Sequence, residues 1–211
     1  MTKWITIKEL IDYNTAMEQM LSYVDEMIVN PDQENKILLL EHNEVYTAGL
    51  SYKDEEIIDV GNIPVIYSRR GGKFTYHGPG QRVIYPVINL RQQKDIKLYV
   101  RKLEQWIINS LKYFDIIAFT IEGLVGIWVK DQHNQPAKIA AIGIKVTRWV
   151  AYHGIAVNIH TDISKFSRII PCGIRNYSVT SLQELGVNIS FEEFDSVLKK
   201  EFDNIFICKD Y

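Results

Sequence analysis

The sequence predicts an α/β protein of the α+β type, in which helices pack on a mixed β-sheet. Short β-rich runs come in blocks along the chain, and three stretches carry apolar residues at helical spacing. A helix does not follow every strand, which disfavours a doubly wound parallel sheet. The length of 211 residues suits one domain with one sizeable core, so we expect a single domain over residues 1–211.

The first predicted helix covers residues 15–29, "TAMEQMLSYVDEMIV", where apolar side chains recur every three or four positions. Thr15 and Glu18 have the spacing of a capping box, and Pro31 is expected to mark the end of the helix. Two further helices are predicted, one near 95–113 and one near 191–206, the latter with Ser190 and Glu193 as its capping box.

Seven runs are rich in β-branched and aromatic residues, which favours strands. The polar stretch 131–137, "DQHNQPA", contains a proline and predicts the turn of a hairpin between the runs on either side of it. The predicted strands cover 36–42, 64–69, 82–90, 116–121, 126–130, 138–146 and 149–159.

The composition is that of an ordinary globular protein, with 46% hydrophobic residues, 24% charged residues and a net charge of −2. This charge does not suggest a nucleic-acid binder. The two cysteines, Cys172 and Cys208, are too few for a disulfide framework or a four-sulfur metal site. The first residues lack the apolar core of a secretory signal peptide, and no apolar run approaches the ~20 residues that span a bilayer. We expect a cytoplasmic protein.

Three segments depart from this pattern. In 69–82, "RRGGKFTYHGPGQR", four glycines lie among basic residues, which suits either a ligand-binding backbone or a solvated turn. In 138–159, alanines and glycines on two strands leave either a groove for an acyl chain or a close contact with a helix. In 168–182, Cys172 lies between a proline and a glycine. Its thiol is either a small buried hydrophobe or a nucleophile beside backbone N–H groups.

Together these segments resemble the octanoyl-[acyl-carrier-protein]:protein N-octanoyltransferase family. The matching motifs are "RGGKFTYHGPGQ", "KIAAIGIKV" leading into "HGIAVNI", and "PCGI" followed by "VTSL", in the order and spacing of that family. The similarity runs from about residue 37 to 185. It implies one octanoyltransferase catalytic domain with the mixed sheet of the biotin and lipoate ligases.

The resemblance also implies a catalytic pair, Cys172 and Lys138, which are 34 residues apart. One departure is "EGLVGIWV", 122–129, where many relatives have "PGRTGVWV", so that Leu124 replaces an arginine. The implied substrate-binding residues are Arg70, Gly71, Gly72, Lys73, Phe74, Thr75, Tyr76, His77, Ala141, Ile142, Gly143, Gly154, Ile155 and Ala156.

The implied reaction has two halves. Cys172 takes the octanoyl group from an octanoyl-acyl carrier protein as a thioester, and a lysine of an acceptor domain then takes it as an amide. Neither half needs ATP, so no cofactor or metal is expected. The ammonium of Lys138 would favour the Cys172 thiolate, and its amine would later act as a base. The acceptors would be lipoyl domains of 2-oxoacid dehydrogenases and the glycine-cleavage H protein, and we expect a monomer with no nucleic-acid or membrane partner.

The residues leave several points open. His77 and His153 compete with Lys138 as partners of the thiol, because Cys–His pairs are common in thiol catalysis. Strict strand alternation would place Lys138 on the face opposite Ala141 and Gly143, unless Lys138 precedes the regular strand. A basic landing surface for an acidic carrier protein, or only a solvated loop, is predicted from Arg69, Arg70, Lys73 and Arg82.

Three other functions remain compatible with the residues. An ATP-dependent lipoate or biotin ligase would share the fold and would not need Cys172. A cysteine acyl hydrolase would use Cys172 with His153 and release free acid. A non-enzymatic acyl-binding module would bind the acyl group and catalyse no reaction.

Overall fold

A computed structural model describes residues 2–170 and 177–207. Three α-helices are present in these ranges, and none of them is long and apolar enough to cross a membrane. The helices are α1 (Tyr13–Val29), α2 (Ile96–Lys112) and α3 (Phe191–Phe202). The strands are β1 (Thr2–Ile11), β2 (Asn35–His42), β3 (Val45–Ala48), β4 (Val65–Tyr67), β5 (Phe74–His77), β6 (Gln81–Asn89), β7 (Phe119–Ile121), β8 (Leu124–Lys130), β9 (Pro136–Thr147), β10 (Val150–Asn158) and β11 (Ser178–Val179).

The main sheet is mixed and has the order β1-β2-β6-β10-β9-β8-β7, with β11 paired to β9. The two parallel pairs are β1 with β2 and β11 with β9, and the other neighbours are antiparallel. A second sheet of three strands has the order β4-β3-β5. The predicted α+β class with a mixed sheet and packed helices is therefore confirmed, and so is the hairpin turn between β8 and β9.

The main sheet buries both of its faces. Side chains alternate along β2, so Leu38 and Leu40 pack under α1 while Ile37 and Leu39 belong to the core shared with α2 and α3. Trp106 of α2 is fully buried in that second core, and its indole N–H donates to the carbonyl of Leu198 at 2.8 Å. The helix spacing predicted from the sequence thus reflects one apolar face for each helix.

The start of α1 differs from the predicted capping box. Asp12 is the N-cap, and its carboxylate accepts hydrogen bonds from the N–H groups of Asn14 at 2.8 Å and Thr15 at 3.2 Å. The helix therefore begins at Tyr13, two residues before Thr15, because an aspartate satisfies the first N–H groups well. The box predicted for α3 is present, since the Ser190 hydroxyl accepts from the N–H of Glu193 at 3.2 Å.

Four of the described strands were not predicted from the sequence, among them the short β11. β1 is an edge strand of the main sheet, and β3 and β5 pair with each other in the small sheet. β5 lies inside the glycine-rich segment 69–82, whose composition indicates a loop. All four residues of β5 are buried on one side or the other, so the strand shows no apolar–polar alternation.

Candidate active site

A narrow cavity of about 40 Å³ lies between the main sheet and the small sheet. Its floor is a set of small residues on neighbouring strands, where Ala141 of β9 pairs with Ala156 of β10, and Gly143 pairs with Gly154. The predicted substrate-binding residues come together here, apart from Gly71, Phe74 and Tyr76. The lining residues in the described ranges are Arg70, Gly72, Lys73, Thr75, His77, Val83, Tyr85, Ala141, Ile142, Gly143, His153, Gly154, Ile155 and Ala156.

The glycines of the floor allow both a groove and close backbone contacts. The N–H of Gly71 donates to the carbonyl of Ile144 at 3.2 Å, so the glycine-rich loop rests directly on β9. A Cβ atom at Gly143 would lie 3.0 Å from the carbonyl oxygen of Gly71, and one at Gly154 would lie 2.1 Å from that of Ile84. The close contacts of these small residues are therefore made with a loop and a neighbouring strand, and not with a helix as one of the two sequence-based alternatives had it.

The buried side chain of Arg70 holds the glycine-rich loop in place through hydrogen bonds. Its buried guanidinium donates to the carbonyl of Thr47 at 2.6 Å and to the carbonyl of Lys73 at 2.7 Å. These bonds tie the glycine-rich loop to β3, because one planar donor group satisfies carbonyls of both. Gly72, at φ +88°, lies between Arg70 and Lys73 and adopts the left-handed region that glycine tolerates.

The predicted basic landing surface is not formed by the four named residues. Arg70 is buried, and Lys73 pairs with the buried carboxylate of Glu56 at 2.6 Å. Arg82 is buried as well and pairs with Asp195 of α3 at 3.0 Å. Only Arg69 of the four is exposed. Strand alternation accounts for Arg82, which points to the helix-covered face of the sheet.

Phe74 and Tyr76 lie away from the cavity. Both are fully buried in the core of the small sheet, and the Tyr76 hydroxyl donates to Glu44 at 2.9 Å. The alternate residues of β5, Thr75 and His77, line the cavity instead. Any substrate contact by Phe74 or Tyr76 would therefore involve backbone atoms.

A β-bulge turns Lys138 towards the floor of the groove. Trp128 pairs with Lys138 and the preceding Ile127 pairs with Ala140, so Ile139 is an extra residue on β9. Ile139 and Ala140 both enter the core shared with α2 and α3. The bulge thereby resolves the alternation problem, because it places Lys138 on the same face as Ala141.

The ammonium of Lys138 is buried and held at a defined position. Its Nζ donates to the carbonyl of Val125 at 3.0 Å and lies 4.7 Å from the ring centroid of Trp128. Gly126, at φ +125°, leaves the space for this chain, since a Cβ there would lie 3.4 Å from Nζ. A small adjoining cavity, lined in part by Lys138, shares Thr75, Ala141 and Ala156 with the main one. Lys138 therefore stands at one end of the groove.

Cys172, the other member of the predicted pair, and Cys208 lie outside the described residues. The described chain on the carboxyl side of Cys172 adjoins Lys138 directly. Val179 of β11 pairs with Lys138, and the N–H of Thr180 donates to the carbonyl of Lys138 at 3.0 Å. On the amino side, the N–H of Ile170 donates to the carbonyl of Glu56 at 2.7 Å.

A chain of buried amides crosses this end of the site, and the sequence did not reveal it. The side chain of Gln81 accepts from the ring N–H of His77 at 2.7 Å and donates to Asn158 at 2.9 Å. The Asn158 amide then donates to the carbonyl of Thr180 at 3.0 Å. Polar residues at core-facing strand positions were the signal available in the sequence. Because Gln81 accepts, His77 carries its proton on Nδ1 and leaves Nε2 as an acceptor.

Three buried histidines lie beside the groove and stay neutral. Burial lowers the pKa of His42 to about 4 and the pKa of His153 to about 3, and it holds the pKa of His77 well below its usual range. The ring of His42 donates to the carbonyl of Ile11 at 3.1 Å and accepts from the Tyr85 hydroxyl at 2.8 Å. His42, Val83 and Tyr85 were not among the predicted site residues.

Comparison with known proteins identifies the family. The family model described as "Lipoyl protein ligase A/B catalytic domain" matches residues 11–203. The chain belongs to this family. Relatives named Octanoyltransferase, from Rickettsia rickettsii (strain Sheila Smith) and Rickettsia canadensis (strain McKiel), are each 54% identical to it over 209 residues, covering 98% of this chain and 100% of the relative. The resemblance drawn from the motifs is thus confirmed, and this member of the lipoyl ligase A/B family is an acyltransferase.

Solved structures of the wider group share the fold. A bi-partite lipoate protein ligase from Thermoplasma acidophilum has a TM-score of 0.74 at 17% identity, over 100% of this chain and 86% of that one. Lipoate-protein ligase A bound with ATP has a TM-score of 0.76 at 18% identity, over 97% and 86%. A biotin protein ligase from Aquifex aeolicus has a TM-score of 0.57 at 14% identity, over 96% and 70%. The predicted ligase-like fold is confirmed by these similarities.

Proposed function

We propose that this chain transfers an octanoyl group from octanoyl-acyl carrier protein to a lysine of a lipoyl domain, through a thioester on Cys172. The observation that carries the proposal is the apolar groove with a buried ammonium at one end. The full-length relatives named Octanoyltransferase support the same acyl group. The acceptors would be lipoyl domains of 2-oxoacid dehydrogenases and the glycine-cleavage H protein, and the chain would act as a single catalytic domain.

The groove suits the acyl chain of such a donor. Its floor consists of Ala141, Ala156 and the backbone of two glycines, so the floor itself carries no large side chain. Ile142 and Ile155 reach it with backbone atoms, because the Ile155 side chain belongs to the opposite core and that of Ile142 packs against it. Small apolar residues leave room for methylene groups and favour their transfer from water.

Lys138 is suited to donate a proton in the first half of the reaction and to accept one in the second half. In the first half, the Cys172 thiolate attacks the carbonyl carbon of the donor thioester, and the bond to the carrier sulfur breaks. The departing thiolate takes a proton from the Lys138 ammonium. In the second half, the acceptor amine attacks the acyl-enzyme, a C–N bond forms, and the C–S bond to Cys172 breaks. The proton of the amine passes to the neutral Lys138, which restores the starting state.

The position of Cys172 in the chain is compatible with this pair. Val179, which pairs with Lys138, follows Cys172 by seven positions in the sequence. A segment of that length spans at most about 25 Å even when fully extended. The chain therefore keeps the thiol tethered to the strand that flanks Lys138.

The alternative functions receive less support. The three solved ligase structures named above are 14–18% identical to this chain, against 54% for the two relatives named Octanoyltransferase. A Cys172–His153 hydrolase receives less support because the relatives at 54% identity are named for transfer of an octanoyl group.

Intact-protein mass spectrometry tests the proposal. Incubation with octanoyl-acyl carrier protein should add one octanoyl mass to the wild-type chain and none to Cys172→Ser. The matched control is Cys208→Ser, which should acquire the adduct like the wild type. Adding a lipoyl domain should move the mass to its lysine. Transfer by Cys172→Ser, or a requirement for ATP, would overturn the covalent mechanism.

A further inference from the structure

We infer that Tyr85 and His153 form the end wall of the acyl groove and set the longest acyl chain that it accepts. This inference rests on the proposed function, because it assumes that the groove holds an acyl chain. It concerns the end of the cavity that lies away from Lys138.

The strand register shows where the groove runs. Asn158 and Lys138 line the small cavity at one end, followed along β10 by Ala156 and then by Gly154. The distance along the strand from Asn158 to Gly154 is four residues, or about 13 Å. A medium-length acyl chain that starts beside Lys138 would therefore point its terminal methyl group towards Gly154.

Tyr85 stands at this position on the neighbouring strand. On β6, Val83 pairs with Ala156 and Ile84 with Ile155, so Tyr85 is the next residue towards Gly154. It lines the cavity but is 4% exposed. Its hydroxyl donates to the Nε2 atom of His42 at 2.8 Å, and the other nitrogen of His42 donates to the carbonyl of Ile11. The hydrogen bond to the buried His42 ring thus fixes the orientation of the Tyr85 side chain.

His153 completes the wall through an unusual backbone conformation. Its neighbours Ala151 and Ile155 face the opposite core, and regular alternation would send His153 there too. Its φ of 59° turns the imidazole into the cavity instead. The ring meets Tyr85 edge to face, with centroids 6.2 Å apart.

The space behind the wall is filled by α1. The N–H of His153 donates to the sulfur of Met20 at 3.3 Å, and Met20 is fully buried. Tyr85 belongs to the same core, together with Val24 and Met27 of α1. Because these side chains are packed, an acyl chain with more carbons has no room to extend past the two rings.

The test measures how strongly the His153→Gly variant prefers acyl groups of different lengths. Glycine adopts a positive φ without strain, so this variant removes the ring and leaves the backbone as it is. Dissociation constants for octanoate, decanoate and dodecanoate are measured by calorimetry, and transfer is measured with the same three acyl groups on the carrier protein. Each methylene that gains an apolar contact is worth about four-fold in affinity. The preference for decanoate over octanoate should thus rise about 15-fold.

Tyr85→Leu is the second variant and should shift the preference in the same direction. Tyr152→Phe is the matched control. Tyr152 stacks on His153 with ring centroids 5.4 Å apart, but it is not among the described lining residues. The Tyr152→Phe variant should therefore keep the chain-length preference of the wild type.

The measurements separate this inference from the proposed function. If the binding preference shifts but no acyl group reaches Cys172 or an acceptor, the end wall is correct and the transferase mechanism is wrong. An unchanged preference in both wall variants overturns the inference while transfer by the wild type still stands. Failure of all three fatty acids to bind the wild type would overturn the end wall as well.

Discussion

Lys138 shows how much one residue depends on its surroundings. Three features act together on it: the extra residue Ile139 in the strand, the missing side chain at Gly126, and the ring of Trp128 beneath the ammonium. The π face and the carbonyl of Val125 both favour a positive charge at this place. A lysine elsewhere on β9 has the same chemistry but lacks these contacts.

Replacing Lys138 with methionine removes the charge and keeps much of the volume. We expect the rate of Cys172 acylation at pH 7 to fall by about 10²- to 10⁴-fold, the usual contribution of a proton-transferring side chain. The measurement is the time course of the octanoyl adduct by mass spectrometry. Lys145→Met, on the same strand, is the control and should acylate at the wild-type rate. Equal rates for both variants would remove Lys138 from the mechanism.

At the scale of elements, the buried amide chain joins strands that are far apart in sequence. His77 ends β5, Gln81 begins β6, and Asn158 ends β10, where its amide binds the carbonyl of Thr180 just after β11. The small sheet, the main sheet and the segment that follows Cys172 are therefore connected by side-chain hydrogen bonds. Such buried networks are stable only when every member has its partner.

We expect Asn158→Leu to lower the free energy of unfolding by about 1–3 kcal/mol, because Gln81 and the carbonyl of Thr180 each lose a partner in the interior. Gln81→Leu should have a similar cost for the same reason. The double variant should be more stable than the sum of the single effects predicts, since neither amide is then left unpaired. Urea denaturation of the three variants measures this coupling. Strictly additive effects would show that the two amides do not act as one network.

The strands of the small sheet show the limit of prediction at this scale. The amphipathic spacing of the three helices and the turn at 131–137 are local patterns, and the structure contains all of them. β3 and β5 depend on each other, since Val45 pairs with His77 across 32 residues of sequence. A strand whose partner is distant and whose two faces are both buried has no local signature.

For the whole molecule, the buried histidines make stability depend on pH. Burial lowers the pKa of His42 to about 4 and the pKa of His153 to about 3, whereas both side chains titrate near 6.5 when the chain is unfolded. Between pH 6.5 and 4 the unfolded state therefore binds more protons than the native state. The stabilisation from these neutral rings is complete above pH 6.5 and is lost as the pH falls towards 4.

We expect the free energy of unfolding to decrease by on the order of 1 kcal/mol per pH unit for each such histidine in this range. Urea denaturation at intervals from pH 7.5 to 4.5 measures the slope. His153→Gly should reduce the slope, because one buried titrating ring is gone. His133→Asn replaces an exposed histidine of the hairpin turn and should leave the slope unchanged. A wild-type slope near zero would contradict the prediction.

The sequence alone determined the helices, the hairpin, the stripe of alanines and glycines, and the family. These features follow from local spacing and from residue types at fixed positions, which the chain carries whether or not it is folded. Eleven of the fourteen predicted substrate-binding residues do line one cavity. The sequence therefore indicated most of the segments that line this cavity.

Only the tertiary structure decided which side chains face that cavity. The bulge at Ile139 and the positive φ of His153 each reverse the alternation of a strand, and alternation sends Phe74 and Tyr76 into another core. The partners of Arg70, Lys73 and Arg82 come from distant elements. The physical reason is that a local pattern specifies apolar and polar positions, whereas bulges, backbone turns and buried partners are selected by the packing of residues far apart in the chain.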